Sequence, residues 1–414
     1  MIAHPIWRGA APQTGALAQT GRERLEFMLV ALAVLLSPVN YLRIEAFYFT
    51  AADAVMLVAA VVMIGNRRFS LTPLGPATSL WLGSTLLIMV GLMLGSMVNG
   101  DPVRGVIGIA QYAFSLVLVP QLLINRPRHE VVQLIGVFVL AMVLVSLHGI
   151  YYAAYHQGPS PFVAGNGRLR SLVERSNESS SLMAMAIVFA LWLRFTRTLP
   201  VLPFAIALPA LCYALLLTGS NTGLLLTVAG SLALAFLSGS VRIGLILLAC
   251  GGAALAVTIL WGELFLPDIF IRRVLGALQS GDLSEAGTFQ GRLLLMHEAQ
   301  RLANDTLLIG IGVDEYRTVS AYNNPVHNVY LLLLAEGGLI ALMGLGGLLM
   351  SSIYIGWLAI GRAESRWGAS LTLTVVVIFA LCLTGIPHFY ARFWAVPWAL
   401  SMAASLSRLP TGRI

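Results

Sequence analysis

One histidine of this chain stands where a proton transfer could take place. His327 lies in the sequence Asn-Asn-Pro-Val-His-Asn-Val-Tyr at residues 323–330, at the end of the only long polar stretch in an otherwise apolar chain. Asn324-Pro325 fits an N-cap followed by proline at the first helical position, so we expect a helix to begin there with His327 in its first turn. The helix macrodipole would keep the ring neutral, as a general base requires. The alternative is a histidine that only makes a hydrogen bond at a membrane interface.

Several arginines precede this histidine in two polar segments. Arg168, Arg170 and Arg175 follow a Gly-Asn-Gly turn, and Arg292 follows a glycine. Guanidinium groups match phosphate oxygens in a bidentate manner, and a diphosphate leaving group needs its charge neutralised as the bridging bond breaks. The arginines therefore predict a site for a phosphorylated substrate. The alternative for each one is contact with anionic lipid headgroups or pairing with a nearby acid. These acids are Glu174, Glu178, Asp282 and Glu285.

Metal-binding and nucleotide-binding patterns are missing from the polar segments. They contain no Asp-X-Asp sequence, no cluster of histidines and acids, and no Gly-X-X-X-X-Gly-Lys phosphate loop. The adjacent pair Asp314-Glu315 is expected to be solvated, because neighbouring side chains rarely converge on one metal. The three cysteines lie inside apolar runs, so we predict no disulfide and no metal site for them. We expect no metal and no cofactor.

The composition predicts a protein that crosses a membrane many times. Of the 414 residues, 58% are hydrophobic and 10% are charged, whereas soluble domains carry about 25% charged residues. Runs near the ~20 apolar residues that cross a bilayer recur along the chain, and their length and uniformity favour helices over barrel strands. The fold class is therefore an all-α polytopic membrane protein. We place twelve predicted spans at 26–42, 46–65, 77–98, 104–124, 131–154, 179–196, 200–218, 221–239, 242–262, 337–360, 369–386 and 391–408.

The arginines also predict the orientation of these spans. All 25 basic residues are arginine, and 14 of them fall on the inner side if both termini are cytoplasmic, which satisfies the positive-inside rule. This divides the chain into spans one to nine with an N-terminal tail (1–262), a large outer loop (263–336) and the last three spans (337–414). The net charge of +7 is then an orientation signal, and nothing supports binding to nucleic acid.

Within the large loop, residues 291–302 have the periodicity of a helix that carries Arg292 in its first turn. Gly310-Ile311-Gly312 predicts a turn. The glycines of the following span are expected to permit close helix packing. They are Gly337, Gly338, Gly344, Gly346 and Gly347.

The order of these features along the chain is more informative than any one of them. In sequence they are Gly167-Arg168-Leu169-Arg170-Ser171, Leu217-Thr218-Gly219-Ser220-Asn221-Thr222-Gly223, Gly291-Arg292, Gly310-Ile311-Gly312, His327-Asn328-Val329-Tyr330-Leu331 and Glu336-Gly337-Gly338-Leu339-Ile340. This order resembles the O-antigen ligase family, whose relatives include O-antigen polymerases, over roughly residues 150–345. One stretch departs from the family pattern: Asn221 stands where many relatives carry an arginine, so no phosphate contact is expected there.

The resemblance implies a GT-C-like glycosyltransferase of the bacterial inner membrane, with about twelve transmembrane helices and a periplasmic loop that contains helices. Its expected reaction moves a polysaccharide from undecaprenyl diphosphate to a lipid A-core hydroxyl on the periplasmic face, with inversion and without a metal. Carried over by position, His327 is the expected base, and Arg170 and Arg292 are the expected diphosphate ligands. Arg168 and Arg175 are weaker candidates for the same role.

Two other functions stay open at this point. A polymerase of O-antigen or exopolysaccharide would use the same lipid-linked donor but a different acceptor. A transporter for a lipid-linked sugar should carry charged residues at the bilayer midplane. Few ionisable residues lie in the middle of the predicted spans, and the charges gather in the outer segments, which favours an enzyme.

Overall fold

The structure of the protein is a computed structural model that describes residues 21–44, 48–156, 160–275, 289–362 and 365–407. The described residues are 77% helical and contain one antiparallel pair of two-residue strands, β1 (Arg43–Ile44) and β2 (Phe49–Thr50). This agrees with the predicted all-α class. Most of the expected N-terminal tail, residues 276–288 of the large loop, and Arg408 and Arg413 lie outside the described residues.

The helices are numbered here in chain order. They are α1 (Gly21–Leu36), α2 (Ala51–Gly65), α3 (Thr78–Val98), α4 (Pro102–Ala113), α5 (Val119–Leu123), α6 (Arg128–Tyr155), α7 (Ser176–Phe195), α8 (Val201–Leu217), α9 (Asn221–Ser238), α10 (Val241–Phe265), α11 (Asp268–Phe270), α12 (Phe289–Asp305), α13 (Tyr316–Val319), α14 (Val329–Ile360), α15 (Arg366–Cys382) and α16 (Arg392–Leu406). π-helical turns at Phe114–Leu118 and Ile271–Leu275 follow α4 and α11, and short 3-10 turns lie at Gly75–Ala77 and Ser171–Val173.

Each predicted span overlaps one of these helices or a continuous group of them. Among the described residues, seven helical segments are long and apolar enough to cross a membrane. They are Gly75–Val98, Pro102–Leu123, Arg128–Tyr155, Ser176–Phe195, Asn221–Ser238, Val241–Thr258 and Val329–Ile360. Three further apolar helices, α2, α8 and α15, are shorter. The protein is therefore an α-helical membrane protein, and the number of twelve spans stays a prediction.

The helix that follows the large loop begins at a different residue from the predicted one. Val329 is its first residue and Asn328 its N-cap, whose Oδ1 accepts a hydrogen bond from the Leu331 backbone N–H at 3.2 Å. The prediction of an N-cap at Asn324 was therefore wrong, and the start of the membrane span at 337 stays a prediction. Both Asn-Pro and Asn alone can cap a helix, and the packing of the preceding segment selects Asn328.

A break inside α14 is stabilised by the glycine-rich turn of the loop. Gly338 has φ 67° and ψ −170°, which interrupts the helical hydrogen bonds. The backbone of residues 307–312 pairs with the groups around the break, because Leu339 N–H donates to the Leu307 carbonyl at 2.8 Å and Gly312 N–H donates to the Glu336 carbonyl at 2.9 Å. The predicted turn is present, since Gly310 has φ 66°. It anchors the loop onto the bundle.

Close packing of α3 against α14 also depends on glycines. A Cβ atom at Gly337 would approach the Leu92 side chain of α3 to 3.0 Å, and one at Gly344 would approach the Ser84 carbonyl to 2.5 Å. The prediction of close helix packing is confirmed at these two positions. It is wrong for Gly346, where a Cβ atom would meet nothing within 4 Å.

The predicted loop helix is present as α12. Leu295 and Ala299 are buried on its inner face and pack in one cluster with Tyr316 and Val326. Leu294, the residue before Leu295, is 50% exposed. Because Val326 is fully buried in this cluster, the position of His327 is determined by the packing of α12 on the loop.

A carboxylate on α12 holds the same segment by hydrogen bonds. Glu298 accepts from the Ser320 hydroxyl at 2.7 Å, from the Ala321 backbone N–H at 2.8 Å and from the Tyr316 hydroxyl at 3.0 Å. These bonds connect α12 to the chain that leads to His327.

A buried ion network lies around the start of α6, at the end of the bundle opposite to the C-terminus of that helix. Arg126 contacts Glu26 at 2.9 Å and Glu130 at 2.8 Å, and the side chain of Arg126 is 1% exposed. Asn66 donates a further hydrogen bond to Glu26 at 2.8 Å. Because buried charges need partners, this network joins α1, the end of α2 and α6 into one unit.

Candidate active site

The sequence-predicted site residues meet at one end of the bundle. A cavity of about 380 Å³ opens between residues 164–178, the chain before α14 and the link from α15 to α16. Four of the five predicted residues line it: Arg168, Arg170, Arg175 and His327. The two polar segments, which are about 150 residues apart in sequence, therefore form one site.

Arg168 is held in place by the start of α7 and the end of α8. Its Nε donates to the Thr218 carbonyl at 2.8 Å and its Nη2 donates to Asn177 Oδ1 at 2.6 Å. The Ser220 hydroxyl donates to the same Asn177 oxygen at 3.2 Å. These contacts fix the plane of the guanidinium at the edge of the cavity.

Arg170 has its backbone fixed and its side chain available. Its N–H donates to the Phe162 carbonyl at 2.8 Å, and the N–H of the preceding Leu169 donates to the Leu217 carbonyl at 3.0 Å. Among the residues that the structure describes, its guanidinium has no hydrogen-bond or ion-pair partner. Such a half-buried cation suits an anionic ligand.

Arg175 and its neighbouring acids show which cavity charges are already paired. Arg175 is 3.7 Å from Glu178, with its side chain 54% exposed. Glu174 is occupied on the other side, where Arg43 binds both of its carboxylate oxygens and Asn40 donates to it at 2.7 Å. Arg175 therefore has an acid partner, Glu178, which is the alternative that the sequence left open. Among the described residues, Arg170 has no such partner.

The positive charge of the site exceeds what its acids neutralise. Burial lowers the pKa of Arg168 to about 10. The charges of Arg273, Arg292 and Arg170 contribute to the same shift. Mutual repulsion of this kind is relieved when an anion binds between the guanidinium groups.

Arg292 approaches the site from the loop. It lies in the first turn of α12, as predicted, but it does not line the cavity. Its charge lowers the pKa values of both Arg168 and His327, so it lies within electrostatic range of both. Among the described residues its side chain forms no hydrogen bond or ion pair. Its guanidinium therefore adds positive charge beside the cavity.

His327 lies just before the N-cap of α14 and not in its first turn, which corrects the predicted position. Burial and the charges of Arg292 and Arg175 together lower its pKa to about 4. The backbone of Pro325 has a smaller opposite effect. The ring is therefore neutral at physiological pH, as expected. The cause differs, since burial and the arginines replace the helix macrodipole.

The comparison with known families covers part of the site. Residues 204–346 match the family model described as O-Antigen ligase. This stretch is here called the O-antigen ligase segment. The family covers O-antigen ligases and polymerases, which are glycosyltransferase-like enzymes of lipid-linked polysaccharides. A search of the curated proteins finds no match.

The O-antigen ligase segment contains Arg292 and His327, whereas Arg168, Arg170 and Arg175 precede it. The hydrogen bond from Arg168 to the Thr218 carbonyl joins the two parts. The cavity is therefore built from this segment together with the stretch at 164–178 and the link at 385–387.

Arg273 is a residue of the O-antigen ligase segment that the sequence analysis did not select. Its Nε donates to the Gly219 carbonyl at 3.3 Å, and its Cδ would lie 3.3 Å from a Cβ atom at Gly219. It thus brings a guanidinium to the start of α9, two residues from Asn221. The absence of arginine at 221 and the tandem Arg272-Arg273 were the signals available for finding it.

His388 is the second residue that the sequence analysis missed. It lies between α15 and α16, next to the cavity residue Pro387, and its ring centroid is 5.2 Å from that of Tyr390. Burial lowers its pKa to about 3, and the charges of Arg175, Arg317 and His327 contribute. It is therefore a neutral ring within electrostatic range of His327. No periodicity or motif pointed to it.

Proposed function

We propose that this protein is an O-antigen ligase. It transfers O-polysaccharide from undecaprenyl diphosphate to a hydroxyl of the lipid A-core, on the periplasmic face of the bacterial inner membrane, with both termini in the cytoplasm. The observation that carries the proposal is the cavity that combines a neutral histidine with three arginines. A base and an anion site in one cavity are what this transfer needs.

The residues have distinct roles in the proposed reaction. The acceptor hydroxyl transfers its proton to a ring nitrogen of His327 while its oxygen bonds to the anomeric carbon of the donor sugar. The bond between that carbon and the phosphate oxygen breaks on the opposite face, which inverts the configuration. Undecaprenyl diphosphate leaves with the bonding electron pair.

The arginines stabilise the charge of the leaving group. Arg170 and Arg292 are the main diphosphate ligands because the described structure leaves both guanidinium groups without hydrogen-bond partners. Arg168 and Arg175 line the cavity beside them with part of their hydrogen-bonding capacity used. Preformed donors of this kind act on charge that develops in the transition state. We expect turnover in excess EDTA, and loss of activity that Mg²⁺ or Mn²⁺ restores would contradict this.

A polymerase is the second candidate, since it would use the same donor and the same family fold. A transporter is disfavoured by the placement of the charges. Asp53 is paired with Arg392 at 2.7 Å, and His148 faces Ser171 at 3.3 Å. The charges of the cavity lie in segments between the predicted spans, whereas a transporter needs them at the bilayer midplane.

One experiment separates the candidates. Lipopolysaccharide from a strain that lacks this gene is analysed by silver staining, together with its lipid-linked polymer. A ligase predicts core-only bands with lipid-linked polymer still accumulating, restored by the wild-type chain and not by His327→Ala. Core with a single repeat unit would instead identify a polymerase, and unchanged bands would reject both.

A further inference from the structure

An aromatic column lies at the end of α6, beside the candidate site. His148, Tyr152 and His156 follow one another at intervals of four residues, which places their side chains on one face of the helix. The rings of Tyr152 and His156 are stacked with centroids 4.1 Å apart, and those of His148 and Tyr152 are 4.7 Å apart. The column is therefore packed as a unit.

Phe162 attaches this column to the arginine segment. Its ring centroid lies 4.6 Å from that of Tyr152 and 4.7 Å from that of His148. Its carbonyl accepts hydrogen bonds from the backbone N–H groups of Arg170 at 2.8 Å and Ser171 at 3.0 Å. The aromatic column and the expected diphosphate ligand are thus held in one rigid arrangement.

Two tyrosines next to the column are exposed in the last turns of α6. Tyr151 is 55% exposed and Tyr155 is 75% exposed, and their ring centroids are 5.1 Å apart. Tyr151 also lies 6.1 Å from the exposed His156. These three rings form a continuous surface, here called the aromatic platform (Tyr151, Tyr155 and His156).

We propose that the aromatic platform binds sugar rings of the donor polysaccharide outside the cavity. The apolar C–H face of a pyranose packs on an aromatic ring, while phenol and imidazole groups can hydrogen-bond to its hydroxyls. The cavity volume of about 380 Å³ is near the lower end for small-molecule sites. A polysaccharide therefore continues over the surface beyond the reacting sugar. The platform is connected to the cavity residue Arg170 through Tyr152 and Phe162. The inference rests on the proposed function, because it assumes a glycan substrate.

Tyrosines are also enriched at membrane interfaces, where they anchor a protein without binding a ligand. Tyr213 provides a matched control for that explanation. It is 40% exposed on α8, four residues before Leu217, whose carbonyl accepts from Leu169 next to Arg170. It lies at the same end of the bundle, and no ring contact connects it to the described aromatic residues. Interface anchoring should make it as important as Tyr151 or Tyr155.

The first test uses transfer kinetics with purified protein. The double variant Tyr151→Leu/Tyr155→Leu keeps apolar side chains at the interface but removes the ring faces. We expect KM for the donor to rise roughly tenfold, with kcat within about twofold, which corresponds to about 1.4 kcal/mol of binding. Tyr151→Phe/Tyr155→Phe should retain most of the affinity, and Tyr213→Leu should match the wild type. Equal KM values for the double Leu variant and the wild type would overturn the proposal, as would an equal rise in Tyr213→Leu.

The second test does not depend on transfer activity. Binding of O-polysaccharide and of core oligosaccharide, each released from its lipid by mild acid, is measured calorimetrically on the same variants. Weaker binding of the polysaccharide by the double Leu variant supports the platform, and weaker binding of the core alone would overturn it. Unchanged binding of both glycans overturns the platform even if the protein is a ligase. Loss of binding in a protein that does not transfer would leave the platform standing and reject the proposed function.

Discussion

Arg168 and Thr218 are joined by a hydrogen bond of 2.8 Å from the guanidinium Nε to the backbone carbonyl, across 50 residues of sequence. This bond brings the arginine segment before α7 to the junction of α8 and α9. Arg273 donates to the neighbouring Gly219 carbonyl. The junction therefore serves as the common support for two guanidinium groups, and the positive potential of the site depends on it.

Removal of the histidine tests the proposed base. His327→Ala should lower the transfer rate by about 10²–10⁴-fold, the usual contribution of a general base, while donor binding stays close to that of the wild type. The rate is measured with purified protein and donor binding by calorimetry. A well-expressed His327→Gln with near-normal transfer would remove the ring from the mechanism.

The pKa of His327 gives a pH signature. The base must be neutral, and since its pKa is lowered to about 4, kcat/KM of the free enzyme should stay level down to about pH 5 and fall as the pH drops through 4. A bound diphosphate is negative and favours imidazolium, so the acid limb of kcat should lie at higher pH. A kcat/KM that already halves near the ordinary histidine value of about 6.5 would contradict the buried, arginine-flanked ring.

The arginine in the loop helix tests the anion site. Arg292→Lys keeps the charge but loses the planar pair of donors, so a large decrease in transfer rate is expected. Arg272, which is exposed, provides the matched control, and Arg272→Lys should be nearly silent. Both rates are measured at saturating donor. Equal effects at the two positions would mean that the diphosphate binds elsewhere.

The topology follows from the arginine distribution. Reporter fusions at Arg197 and Gln279 should report opposite sides of the membrane, with Gln279 in the periplasm. Activity of alkaline phosphatase and fluorescence of a cytoplasmic reporter are compared at each position. Cytoplasmic signals from both fusions would refute the twelve-span arrangement.

The ion network at the opposite end of the bundle should matter for stability and not for chemistry. Arg126→Gln leaves Glu26 and Glu130 buried without their main partner, a change that typically costs about 3–5 kcal/mol. We expect a clearly lower Tm in detergent and less protein in the membrane. The exposed Arg242 is the control, since Arg242→Gln should leave Tm within about a degree. A normal Tm for Arg126→Gln would show that the network adds nothing to stability.

The amino-acid sequence by itself determined the class of the protein and the types of the site residues. Apolar runs of about 20 residues form helices in a membrane because the backbone has no other way to satisfy its hydrogen bonds there. The helix that carries Arg292 was also predictable, since its apolar periodicity is local. His327 and the arginines stood out because ionisable residues are scarce in this chain.

Only the tertiary structure decided how these residues act. Two asparagines before α14 could serve as its N-cap, and burial of Val326 against α12 selects Asn328 and thereby the position of His327. The low pKa of that ring results from burial together with the charges of Arg175 and Arg292, which are distant in sequence. Arg273 and His388 come to lie beside the site for the same reason. Long-range packing and electrostatics depend on which segments meet, and a local sequence pattern does not contain that information.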